Sequence, residues 1–64
     1  MPKFKPGDRV IGVFFESALE GVLESVKDEP DSLGRDHVVR YDAIPSRTYM
    51  MKEDELTSVE ELFT

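Results

Sequence analysis

The chain contains no cysteine. That absence removes disulfides, thiolate zinc sites and cysteine nucleophiles together. Histidine is nearly absent as well: His37 stands alone, without partners for a metal site or a neighbouring motif for nucleophilic catalysis. Long apolar runs are missing. No stretch approaches the roughly 18 residues of a membrane span, and Met1-Pro2-Lys3-Phe4-Lys5-Pro6-Gly7 lacks the apolar run of a signal peptide. The expectation is a cytoplasmic protein with no membrane role. The 4 glycines are scattered singly, so there is no phosphate-cradling loop. Basic residues are few, 8 against 14 acidic ones, for a net charge of −6. That balance repels phosphate backbones and anionic membranes, favours solubility and permits basic partners.

What is present fits one domain spanning residues 1–64. A chain this short buries only about 60 % of the surface its unfolded form exposes. Its expected stability is roughly 3–8 kcal/mol. A deep catalytic cleft has little room, which favours a binding module over an enzyme. The charge is uneven: acidic segments at 16–31 and 50–64 flank a milder one in which Arg35, Arg40 and Arg47 face Asp36 and Asp42.

Lys5-Pro6-Gly7-Asp8 has turn chemistry, with proline presetting φ and glycine supplying φ > 0. The β-branched and aromatic run at 9–15 then reads as a strand, with Gly12 marking a bulge or bend. Residues 16–27 admit two readings. Phe15, Ala18, Leu19, Val22, Leu23 and Val26 recur at helical spacing, opposite Glu16, Glu20, Glu24 and Lys27. Gly21 in mid-helix would cost about 1 kcal/mol, whereas a strand opening at Gly21 alternates Val22, Glu24 and Val26 with Leu23, Ser25 and Lys27. Residues 28–36 are a loop. His37–Tyr41 and Arg47–Lys52 read as strands, and Glu53-Asp54-Glu55 as a polar turn that tucks Leu56 inward. Ser58 and Glu61 have capping-box spacing for a terminal helical turn, with a short strand at 57–59 as the competing reading.

The segments KPGDRV, GVLESV, VVRYD and RTYMMKEDEL, in this order, resemble the small SH3-like barrels of the KOW and Tudor kinds, over about residues 4–59. The resemblance implies a mostly β fold: a small barrel of four to five short strands, with a short helical insertion at 16–27 as one option and a C-terminal helical turn. The sequence departs from that pattern at Phe14–Glu20, which is more apolar than the usual loop, and at 42–46, which lacks a glycine. At fold level the resemblance selects no ligand. Tudor-type barrels hold methylated cations in aromatic cages through cation–π attraction, and KOW-type barrels associate with nucleic acid.

The carboxylate runs at 28–31 and 53–55 lack the ligand alternation of a calcium loop and read as solvated loops. No metal, cofactor or catalytic set is expected. Of the six aromatics, Phe4 and Tyr41 are expected in the core. Adjacent Phe14 and Phe15 on a strand must face opposite sides, leaving one of them beside Glu16 as an exposed anchor. The expected function is a non-enzymatic, acidic protein-interaction module. It would bind a basic protein partner through Phe14, Phe15, Glu16, Glu20, Tyr49, Glu53 and Asp54, as a small regulatory or inhibitory protein of the phage type does. The alternative is nucleic-acid or ribonucleoprotein association through Arg35, Arg40 and Arg47, opposed by the net charge.

Overall fold

The computed structural model describes residues 3–14 and 16–62, excluding the side chains of Phe14 and Leu62. Chain entry is set by the Lys5–Asp8 turn. Gly7 takes φ 95°, a left-handed conformation that costs other residues about 1–2 kcal/mol. The Asp8 N–H donates to the Lys5 carbonyl at 3.1 Å, and the Lys5 N–H donates back to the Asp8 carboxylate at 3.1 Å. Two further bonds dock the turn: Gly7 N–H to the Leu23 carbonyl at 2.8 Å and Leu23 N–H to the Asp8 carbonyl at 2.9 Å.

From this turn β1 (Arg9–Phe14) runs out and β2 (Ser17–Val26) returns beside it; β3 (His37–Tyr41), β4 (Tyr49–Met51) and β5 (Leu56–Ser58) follow. A 3-10 turn at Glu53–Glu55 precedes β5, and a single α-helical turn, α1 (Val59–Leu62), succeeds it. All ladders are antiparallel, and the strand order is β4-β3-β2-β1-β5. Among the described residues no ladder joins β4 to β5. Met51 of β4 and Leu56 of β5 nevertheless meet in one core with Phe4, Val10, Leu23, Val39 and Tyr41. The sheet is therefore curled around its own apolar face, an arrangement consistent with an SH3-like barrel. Burying a side chain such as Leu23 contributes about 1.5–3 kcal/mol.

The fold is mostly β, as the sequence suggests, but several local expectations are corrected. The helical option at 16–27 does not occur, because Ser17–Val26 form β2. The strand also begins at Ser17, four residues before Gly21, with Ser17 the register partner of Phe14. Alternation governs burial: Gly21 and Leu23 face inward and Val22 lies on the outer side. Gly21 is required by contact, since a Cβ there would strike the Arg40 carbonyl oxygen and lie 2.8 Å from Tyr41 Cα. Gly12 marks no bulge, because the β1–β2 register runs unbroken through it; the register shift lies in β2, between Leu23 and Ser25. Gly12 instead gives way to the Tyr41 hydroxyl, which packs where its Cβ would stand. At the C-terminus both readings hold in succession, a strand and then a helical turn.

Candidate functional site

The β1–β2 hairpin extends beyond the strands that flank it. On one side β5 pairs with β1 only as far as Gly12, leaving Val13 and Phe14 past the end of that ladder. On the other side β3 pairs with β2 only from Gly21 onward, leaving Ser17–Glu20 past its end. The result is a two-stranded arm projecting from the sheet. Val13 and Ala18 are direct register partners on it. Val13 is 59 % exposed, an unusual position for a large aliphatic side chain on a strand, and Ala18 is exposed too.

Carboxylates surround the arm. Glu16 is exposed at its tip. At its base Arg9 bridges Glu20 and Asp42 through its guanidinium, tying β1 to β2 and to the turn after β3. Those two bonds hold the Arg9 pKa above its ordinary value, Asp42 contributing most and Glu20 next. One guanidinium facing two carboxylates leaves this trio net negative. β5 joins the sheet opposite Gly12, and the exposed turn Glu53–Glu55 leads into it from β4. The turn is held by the Lys52 N–H donating to Glu55 Oε1 at 2.9 Å and the Glu55 N–H donating to the Lys52 carbonyl at 3.0 Å.

Of the sequence-derived interaction residues, Glu16 and Glu20 lie on the arm, while Glu53 and Asp54 stand in the exposed turn that leads into β5. Phe14 contributes its backbone to the arm; its side chain and the whole of Phe15 lie outside the described residues. Tyr49 stands apart from the tip. It is half-buried against the core, its ring 5.8 Å from that of Tyr41 at 46°. Phe4 and Tyr41 are core residues, 1 % and 0 % exposed, so these aromatics do not open into a cage. Burial raises the Tyr41 phenol pKa, and the nearby Glu55 charge adds to the shift.

The nucleic-acid candidates are differently disposed. Arg40 binds Glu24 through Nε at 2.8 Å and also donates to the Pro45 carbonyl. Its hydrogen bond holds the Glu24 carboxyl below the ordinary range. Arg35 is enclosed by the 31–35 loop, where Asp31 accepts its backbone N–H at 2.9 Å and its Nε at 3.0 Å. Arg47 is exposed in the β3–β4 connection. Two of the three guanidinium groups are therefore already engaged by carboxylates of the chain.

His37, whose isolation in the sequence suggests an ordinary surface or strand-end histidine, stands at a strand end but not at the surface. It opens β3 with its side chain turned inward at 2 % exposure. Nδ1 lies 2.7 Å from an Asp36 carboxylate oxygen and the ring meets Phe4 edge-on at 6.1 Å, while Nε2 is buried without a hydrogen-bond partner. Position 37 shares β3 parity with Val39 and Tyr41, which was the available signal for its burial. Near the start of β1, an open cleft of about 670 Å³ is lined by Lys3, Lys5, Arg9, Glu60 and Glu61 among others. It mixes both charges and holds none of the sequence-derived interaction residues. Among the described residues no group of acidic or histidine side chains is arranged to hold a metal ion. No helix among them is long and apolar enough to cross a membrane. Comparison with protein-family models, with curated proteins and with solved structures found no match.

Proposed function

We propose that this chain is a non-enzymatic protein-interaction module that binds a basic partner surface with its β1–β2 arm. The observation that carries this reading is the exposed Val13–Ala18 pair, held beyond both neighbouring ladders, with Glu16 at the arm's tip and Glu20 and Asp42 joined by Arg9 at its base. An exposed apolar centre with a polar, net-negative rim has the composition of a recognition patch. Rim carboxylates would steer a basic partner and reject acidic ones. The adjoining Phe14 and Phe15 supply aromatic anchors by sequence. Nucleic-acid association is the weaker reading, since Arg35 and Arg40 would have to leave Asp31 and Glu24 to reach phosphates.

The test is affinity capture from extracts of the source cell with wild-type chain, Val13→Lys and Glu16→Lys. Both positions are exposed, so both variants should keep the wild-type melting temperature within the usual surface range. A partner held by wild type and lost by both variants supports the reading. Identical sets of bound proteins for all three would sink it.

A further inference from the structure

We propose that the edge of β2 centred on Ala18, just beyond the Glu20–Asp42 backbone bond, takes up an extended, basic segment of the partner as an added antiparallel strand. This rests on the interaction-module reading and names its mode. The backbone geometry points outward here. Leu23 exchanges its hydrogen bonds with Gly7 and Asp8, on the β1 side, whereas the Glu20 carbonyl accepts the Asp42 N–H at 3.0 Å, on the β3 side. Because backbone groups alternate direction along a strand, Ala18 shares the Glu20 direction. Its N–H and carbonyl therefore face the side where β3 has already ended. An edge with unpaired backbone groups is a template for strand addition.

Charge decides which strand fits. Glu16 and Glu20 stand two residues either side of Ala18 on this edge. A second copy pairing antiparallel about Ala18 would bring Glu16 of each chain beside Glu20 of the other, and like charges placed opposite are destabilising. The same spacing matches a strand carrying lysine or arginine two residues either side of a small or apolar residue. The edge thus discourages self-pairing and selects a basic guest.

The probe is a capped seven-residue peptide, Thr-Lys-Thr-Val-Thr-Lys-Thr, which carries lysine two residues either side of valine, with the same peptide bearing glutamate in place of lysine as control. Amide hydrogen exchange of the wild-type chain is followed by nuclear magnetic resonance. The expected result is at least tenfold slower exchange of the Ala18 amide with saturating lysine peptide and no change with the control. Absence of binding at millimolar peptide, binding without Ala18 protection, equal protection by both peptides, or protection arising from dimerisation of the chain alone would each overturn the proposal. Ala18→Pro separates this mode from the parent reading, since it removes only an outward N–H, which edge strands tolerate. If the captured cellular partner is lost with Val13→Lys but kept by folded Ala18→Pro, the module stands and strand addition falls.

Discussion

Replacing Gly21 by alanine distinguishes the two readings of residues 16–27 more sharply than any other substitution. On a helix, alanine would gain about 1 kcal/mol over glycine. In the observed sheet the added methyl falls on the Arg40 carbonyl oxygen, 2.8 Å from Tyr41 Cα and 3.0 Å from the Arg40 carbonyl carbon. Carbon–carbon contacts settle at about 3.5–4.0 Å. All three opposing atoms belong to the β3 backbone, so no side chain can rotate away. β3 would have to retreat by roughly 0.7 Å at the point where Tyr41 enters the core. Overpacking of this kind costs about 1–3 kcal/mol, and an unyielding backbone neighbour puts Gly21→Ala at the upper end. Against a total of roughly 3–8 kcal/mol, that is a third or more of the stability. With a urea slope near 1 kcal/mol/M, expected for so small a domain, the unfolding midpoint should fall by about 2–3 M. Urea unfolding followed by circular dichroism measures it. A midpoint that stays put or rises, with unchanged slope, would refute the packing of β3 on Gly21.

Leu23→Ala removes a fully buried side chain at the centre of the core; a cost of about 2–5 kcal/mol should leave the variant largely unfolded in calorimetry. Stability should decline in acid. Asp31 is held below its ordinary value chiefly by the Arg35 backbone N–H, and Glu24 chiefly by the Arg40 side chain. Their contribution is complete above the unfolded-state values and is lost as pH falls through the lower folded-state values. The melting temperature should drop below about pH 4.5, and Asp31→Asn with Glu24→Gln should flatten that drop. At the alkaline end the sign reverses. Tyr41 is raised, so its contribution is complete below pH 10 and lost above it; Tyr41→Phe should flatten the alkaline decline in melting temperature. Generic duplex DNA should show no gel shift with a midpoint tighter than about 1 μM at physiological salt.

Much of the sheet was legible from residue pattern alone. His37–Tyr41 alternates cleanly and has few competing periodicities, and its strand limits agree with the structure. The Pro6-Gly7 turn was equally plain, since few residues reach φ 95°. Residues 16–27 were ambiguous for a physical reason: Leu19, Val22, Leu23 and Val26 satisfy helical spacing, whereas in the strand Val22 lies outward and the register shift after Leu23 returns Val26 to the core side with Leu19 and Leu23. What settles it is the close approach of Arg40 and Tyr41 to Gly21, a contact across 20 residues that no local window contains. The carboxylates of the candidate site were visible as residue types. The placement of Glu16 and Glu20 on one projecting arm was not, because the arm exists only where β5 stops pairing at Gly12 and β3 at Gly21. Val13 was hidden for the same reason, reading as ordinary strand until the end of its neighbour was known.

The pairing of β5 with β1 also dictates the order in which this molecule becomes a folded body. Val10 meets Ser58 and Gly12 meets Leu56, so strands from nearly opposite ends of the described chain must find one another. The β1–β4 meander can zip through short connections, whereas the last strand closes a far longer loop and comes late. Until Leu56 arrives, the core beneath Tyr41 and Val10 lacks one wall. On the ribosome the nascent chain would remain an open, protease-sensitive sheet until residue 58 had cleared the exit tunnel. A cut ahead of Leu56 would therefore undo the whole fold rather than trim its edge.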